Sequence, residues 1–180
     1  MAVTPTPESQ ASHQQGEWPE QRVGLFVDTQ NLYYSAKDNY ARNINYQHLL
    51  KLAVCGRRLQ QANAYTVDRD GSAHGFITKL RDIGYRIKSR QVEIFKDDSG
   101  NELLEGDWDM GIAADMVRHW EHLDVIVLAS GDGDFVPILE VAREKGCRVE
   151  ILAFRETSHT RLIQFADKFT DLGKQNDIFL

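Results

Sequence analysis

The chain has 180 residues, of which 42% are hydrophobic and 27% are charged, and its formal net charge is −6. These values are those of one ordinary globular domain, and they exclude a surface that is basic all over, so nucleic acid could be held only by local basic patches. Residues 1–20 account for half of this net charge, because they contain three glutamates and no Lys or Arg; they are also rich in Pro, Ser and Gln. We therefore predict a disordered leader over residues 1–20 and a single domain over residues 21–180.

The sequence carries no signal for a membrane or for secretion. No apolar run approaches the ~20 residues that a membrane-spanning helix needs, and the N-terminus lacks a basic region followed by an apolar core. The two cysteines, Cys55 and Cys147, have neither CxxC spacing nor a histidine cluster nearby, which disfavours a zinc site or a disulfide framework. We therefore expect a cytoplasmic protein with no membrane partner.

From Val23 onward, short apolar segments alternate with segments of helical periodicity. Asn45 is a suitable N-cap, and Gly84 and Gly146 are suitable helix stops. The predicted elements, in chain order, are a strand over 23–28, a helix from about residue 30, a helix over 46–59, a strand over 63–68, a helix over 73–83, one or two strands over 85–95, a turn over 96–101, a helix over 109–120, a strand over 124–129, a helix over 135–145, a strand over 147–154, a helix over 158–166 and a strand over 168–172. Strands separated by helices predict a Rossmann-like three-layer α/β/α sandwich with a mostly parallel central sheet. Its edge strands and helix faces leave a homodimer open.

The most informative segment is VIVLASGDGDFV, at residues 125–136. Its apolar run is typical of a strand buried on both faces, and it ends in two aspartates, Asp132 and Asp134, spaced by glycine. Asp28 ends an earlier predicted strand in the same way. Asp132 and Asp134 also have simpler structural interpretations. Asp132 can belong to a turn, and Asp134 can cap the helix that begins at Phe135.

If both strands are central and parallel, Asp28, Asp132 and Asp134 face one crevice where the strand order reverses. Carboxylates gathered in one place repel one another unless a cation lies between them. Hard cations such as Mg²⁺ and Mn²⁺ prefer carboxylate, amide and water oxygens, so Asn31 and Ser130 are candidate ligands or hydrogen-bond partners. The sequence therefore predicts a divalent-metal site with Mg²⁺ or Mn²⁺ as the cofactor.

Three motifs carry a family resemblance: VDTQN at 27–31, GDWDMGIAAD at 106–115 and SGDGDFV at 130–136. In this order they resemble the NYN domain, a branch of the PIN-like ribonucleases, and within it the bacterial LabA-like group. The segments FRETS at 154–158 and FADKF at 165–169 are similar to the C-terminal end of that group, so the resemblance covers about residues 23–172. One departure is Glu105, where the group often has a basic residue before the glycine.

The resemblance implies a PIN/NYN-like sheet and a metal-dependent endoribonuclease that cuts RNA. Asn31 and Ser130 would assist at its site. The residues that it assigns to catalysis and to the metal are Asp28, Asp109, Asp132 and Asp134. In the hypothesis for the mechanism, the first three of these hold one or two ions, and Asp134 binds metal through water or orients the nucleophile.

Three acidic or aromatic positions around residue 109 keep alternative interpretations. Asp107 is a possible inward residue instead of Asp109, and either can be a favourable charge at a helix start. Asp115 faces a different side of the predicted helix, where a buried structural role is at least as well supported. Trp108 suits packing better than base stacking.

The only notable basic run includes Arg86, Lys88 and Arg90 on a predicted strand, preceded by two basic residues of the helix before it. It is either a solvated face or a patch that follows the phosphates of RNA, with Tyr85 able to stack a base. None of the six histidines has metal-ligand spacing. His159 has only its place at a predicted helix start to suggest contact with a substrate.

The leading prediction is thus a ribonuclease, and RNA, single-stranded or structured, is the expected partner. The alternative is a catalytically inactive NYN-fold module for RNA binding or regulatory interactions, which the acidic balance and Glu105 favour. The full set of carboxylates disfavours that alternative, because buried charges without a metal or a partner are costly. A phosphohydrolase of small esters would need a nucleophile motif that Asp28-Thr-Gln-Asn lacks.

Overall fold

The computed structural model describes residues 18–68, 72–91, 93–96, 102–105 and 107–180. Residues 1–17 of the predicted leader therefore lie outside the described residues. The elements are β1 (Arg22–Asp28), α1 (Thr29–Tyr40), α2 (Tyr46–Val54), β2 (Arg58–Asp68), α3 (His74–Ile83), β3 (Arg86–Gln91), β4 (Glu93–Lys96), β5 (Glu102–Glu105), α4 (Asp109–His119), β6 (Val125–Ala129), α5 (Val136–Glu144), β7 (Arg148–Ala153), α6 (Thr160–Phe165) and β8 (Lys168–Asp171).

The main sheet has six strands in the order β3-β2-β1-β6-β7-β8, and every pair in it is parallel. The strand order runs outward in one direction from β1 to β3 and in the other from β6 to β8. The point of reversal lies between β1 and β6, and ligands of such sheets bind at the carboxyl ends of these two strands. The predicted Rossmann-like α/β sandwich with a parallel sheet is confirmed.

Helices cover the sheet on both faces. One core cluster joins α1, α2 and α3 to the face that carries Val23, Leu25 and Val27, all fully buried. A second core cluster joins α4, α5 and α6 to the opposite face, which carries Phe26 and Ile126. Alternate residues of the central strands point to opposite faces, so these strands are apolar throughout, as both core layers require.

The second predicted helix was too long at its C-terminal end. The helix α2 begins at Tyr46, with the Asn45 side chain accepting from the His48 N–H as predicted (3.1 Å). It ends at Val54, because the next two residues have left-handed backbones, with φ of 47° at Cys55 and 74° at Gly56. The strand β2 then begins at Arg58, five residues before its predicted start.

The strands β4 and β5 pair antiparallel in a separate two-stranded sheet. This pairing agrees with the hairpin suggested by the turn signal at 96–101, although most of the turn itself lies outside the described residues. No helix in the described part of the chain has both the length and the apolar character needed to cross a membrane.

Candidate active site

The loop after β6 is held in place by its own side chains. The Asp132 N–H donates to Ser130 Oγ (3.2 Å), and Asp132 Oδ1 accepts from the Asp134 N–H (2.9 Å). Asp132 therefore caps the short 3₁₀ turn that leads into α5, and the cap that the sequence suggested for Asp134 is wrong. The Asp134 residue is exposed instead.

Two glycines of this loop are required by the close approach of the segment before α6. A Cβ at Gly131 would lie 2.8 Å from Ser158 Oγ, and a Cβ at Gly133 would lie 2.6 Å from Cγ of His159. The backbones of the two segments are also bonded, because the His159 N–H donates to the Gly131 carbonyl (2.9 Å). The structure thus brings His159 to the acidic loop, a placement that helix-start position alone could not establish.

Asp28 ends β1 on the other side of the reversal point and is linked to the same loop. Its Oδ1 accepts from the Asn31 N–H (3.1 Å), and its Oδ2 accepts from Ser130 Oγ (3.4 Å). Asn31 Oδ1 in turn accepts from the Gly131 N–H (2.9 Å), so both side chains position the backbone of the site. Burial, together with the nearby negative charge of Asp132, raises the pKa of Asp28 although these hydrogen bonds oppose the shift.

Asp109 is the first residue of α4, which packs on the other face of the sheet from α1, and it adds a further carboxylate. Its pKa is raised to about 6, first by burial and then by the negative charges of Asp107, Asp132, Asp28 and Asp134. The group is half-buried, whereas Asp107 is exposed. The electrostatic effects connect Asp109 with the other three predicted aspartates, and its partial burial favours it over the exposed Asp107 as the inward residue.

Replacing Asp109 by Asn should stabilise the metal-free protein at pH 7.5 by about 1 kcal/mol. The raised pKa means that the charged carboxylate destabilises the folded state; this penalty is fully present above pH 6 and disappears below about pH 4. We reduce the expected gain because solvent screens a half-exposed group and because the helix start loses a favourable charge. Urea unfolding at pH 7.5 and pH 4 measures it, with Asp38→Asn on the exposed side of α1 as the control. A loss of stability at pH 7.5 would contradict the clustered charges.

Asp115 has a structural role. It is 1% exposed, and its carboxylate contacts Lys88 Nζ (2.5 Å), Arg118 Nη1 (2.8 Å) and the hydroxyl of Tyr65, which donates to it (2.7 Å). Burial alone would raise its pKa, but these partners hold the pKa of Asp115 below its usual range. The network fixes α4 to β2 and β3 and so positions Asp109 six residues earlier.

The aromatic and basic side chains next to α4 also have contacts within the protein. The Trp108 indole N–H donates to the Thr66 carbonyl (2.8 Å), which supports the packing role. The Arg90 guanidinium lies over the Trp108 ring at 4.4 Å and donates to the Asp107 carbonyl (3.0 Å). The suggestion that Tyr85 stacks a base is wrong, because the residue is 3% exposed and its hydroxyl donates to the Tyr46 carbonyl (2.9 Å).

The donor set of the acidic cluster suits a hard cation. Within the described ranges, no Lys or Arg side chain forms an ion pair with any of the four aspartates, so their mutual repulsion is uncompensated. The described residues also include no group of three carboxylate, imidazole or thiolate side chains already arranged around one point. An ion held by one or two carboxylates and by water is the usual arrangement for Mg²⁺, and the residues fit that arrangement.

The four aspartates Asp28, Asp109, Asp132 and Asp134 are called the acidic centre below. Together with the fold, they define an α/β domain with carboxylates at the switch point of a parallel sheet. The NYN domain model matches residues 22–173, and the chain belongs to this family, as its three motifs predicted. Membership implies the fold of the PIN-like nuclease superfamily.

Two relatives agree with this assignment. The chain is 29% identical over 162 residues to the low amplitude and bright protein LabA of Synechococcus elongatus, which covers 87% of this chain and 85% of the relative. It is also similar to a crystal structure of a protein of unknown function from Vibrio parahaemolyticus, with a TM-score of 0.79 and 27% identity. That match covers 92% of this chain and 99% of the other.

Proposed function

We propose that this protein is a Mg²⁺- or Mn²⁺-dependent endoribonuclease that hydrolyses RNA phosphodiesters at Asp28, Asp109, Asp132 and Asp134. The observation that carries the proposal is the convergence of Asp28, at the end of β1, with the loop that carries Asp132 and Asp134, through the hydrogen bonds of Ser130 and Asn31. After burial, the negative charges of this region also raise the pKa of Asp109, so the carboxylates repel one another. A bound cation would remove that repulsion and would also serve in catalysis.

The four aspartates would have different roles at the metal, and Asn31 and Ser130 would support them. Asp28 and Asp132 are held by hydrogen bonds in fixed positions and would supply direct ligands. Asp109 and Asp134 would bind through water or orient the attacking water. A bound ion would polarise the scissile phosphate and lower the pKa of a coordinated water. Asn31 and Ser130 act by fixing the loop that carries these carboxylates.

The basic strand β3 is the best-placed surface for the phosphates of the RNA. Arg86, Lys88 and Arg90 alternate along it and therefore share one face of the sheet. The strip ends beside the acidic centre, because Arg90 contacts the carbonyl of Asp107. Lys88 remains 39% exposed despite its bond to Asp115, so it can still attract an anion. The strip supports RNA as the substrate, although the domain is acidic overall.

Replacing Arg86 by Gln should weaken RNA binding and lower the slope of log Kd against log salt by about 0.7, the value for one contact with a single-strand phosphate. Arg86 is the cleanest test because it is exposed, whereas Lys88 also neutralises Asp115. Fluorescence anisotropy with a labelled single-stranded RNA over a salt series measures the slope. The matched control is Arg81→Gln on α3, which covers the opposite face of the sheet. If the slope for Arg86→Gln equals that of the parent protein, as we expect for Arg81→Gln, the strip is a solvated face.

The proposal is tested by incubating the protein with a short end-labelled RNA in EDTA, Mg²⁺ or Mn²⁺. We expect internal cleavage only with the metals. Binding without cleavage in any metal would instead favour the second candidate, an inactive RNA-binding or regulatory module. That candidate is favoured by the acidic net charge of −6 and by Glu105, where the LabA-like group often has a basic residue.

A further inference from the structure

His159 contacts the acidic loop from the side of α6. Its backbone N–H donates to the Gly131 carbonyl (2.9 Å), and its ring lies against Gly133, the residue between Asp132 and Asp134. The residue is exposed to solvent. It therefore stands at the acidic centre without being one of its carboxylates.

The hydrogen bonding of the ring fixes its tautomer. Nδ1 accepts from the Arg161 N–H (3.2 Å) and so caps the start of α6. A ring whose Nδ1 accepts a hydrogen bond has its donor at Nε2. No hydrogen bond from this Nε2–H is found to any residue that the structure describes.

Three backbone donors of the loop are already used. The N–H of Gly131 donates to Asn31, that of Asp132 to Ser130, and that of Asp134 to Asp132 itself. Carboxylates that bind a cation have no proton to give. A phosphate group brought to this edge of the sheet thus meets the carboxylate acceptors of the loop, and the Nε2–H of His159 lies beside them as a donor.

We propose that His159 binds the substrate by donating a hydrogen bond from Nε2 to a phosphate oxygen of the RNA, and that it orients the strand at the acidic centre. This inference rests on the proposed ribonuclease function. It assigns no proton transfer to the ring, whose Nδ1 lone pair already caps α6.

The test compares variants in an Asp132→Asn background, in which cleavage is not expected, with Mg²⁺ present. His159→Asn keeps a cap for α6, since Asn is a strong N-cap, but it removes the Nε2–H. The control is His122→Asn, an exposed histidine just before β6 and thus at the opposite edge of the sheet. We expect His159→Asn to raise the Kd for single-stranded RNA about tenfold, the value of one hydrogen bond to a charged group. The control and the thermal stability should not change.

A second measurement does not depend on the variants. Long-range ¹H–¹⁵N spectra of the histidine rings should show the Nε2–H tautomer for His159, and added RNA should shift the Nε2 resonance. An unchanged Kd for His159→Asn, or an Nε2 resonance that RNA leaves in place, would overturn this inference alone. Failure of the parent protein to bind RNA would overturn both the inference and the proposed function.

Discussion

Asp132→Asn should abolish the metal-dependent cleavage of RNA, with kcat lowered about 10³-fold or more and the fold intact. The amide has the same shape as the carboxylate, and its oxygen can still accept from the Asp134 N–H, so the loop and the start of α5 remain in place. Only the negative charge is lost. Since a catalytic metal contributes several kcal/mol to stabilisation of the transition state, a weakened metal site should cost about this factor.

The control for this variant is Asp38→Asn, which removes an exposed carboxylate of α1 outside the acidic cluster. Both variants should have the parental circular dichroism spectrum and melting temperature. Cleavage by Asp132→Asn at the parental rate, in a preparation free of contaminating nuclease, would remove this residue from the mechanism and leave the metal hypothesis without its central ligand.

The second large effect concerns a buried ion pair far from the acidic centre. Arg57 and Glu150 are 7% and 6% exposed, and they form two parallel hydrogen bonds of 2.8 and 2.9 Å. Arg57 also donates to the carbonyls of Ala53 and Val54, the last residues of α2. Burial alone would raise the pKa of Glu150, but Arg57 and then Arg148 hold it below its usual range.

Glu150→Leu should destabilise the domain by about 4 kcal/mol, because it leaves the Arg57 guanidinium buried without its carboxylate. Combining it with Arg57→Met should recover most of the loss, since no charge is then left in the core; about 1 kcal/mol would remain from the lost bonds to α2. Urea unfolding of the two variants measures both values.

The matched control is Glu140→Leu, which breaks the exposed pair of Glu140 with Arg161 (46% and 62% exposed). Such a surface pair should contribute less than about 1 kcal/mol. If Glu150→Leu is no more harmful than Glu140→Leu, water must reach the Arg57 guanidinium, and the burial argument fails.

The sequence was sufficient for the sheet and for the residues at its carboxyl edge. Apolar strands that end in aspartate, separated by helices, leave few topologies open, and the parallel strands bring Asp28 and Asp132 to the same edge. Their local environments were less predictable. Whether Asp132 or Asp134 caps the following turn depends on the rotamer of the side chain, and the sequence pattern fits either aspartate equally well.

Contacts between distant segments account for the other errors and omissions. Periodicity carried the second helix to residue 59, although a left-handed backbone at Cys55, a residue that rarely adopts it, ends the helix earlier. The burial of Tyr85 depends on a carbonyl 39 residues away. His159 reaches the loop because Gly133 has no Cβ that would meet its ring, a contact that the spacing of the motif does not indicate.

The central pairing of β1 with β6 has a consequence for synthesis on the ribosome. The hydrogen bond from Gly131 to Asn31 spans 100 residues, and β1 has only β2 beside it until residues 125–129 have emerged. Long-range parallel pairing is formed late in folding. A nascent chain therefore carries Asp28 without the loop that holds Asp132 and Asp134, and the carboxyl edge of the sheet is assembled only when the last third of the polypeptide is released.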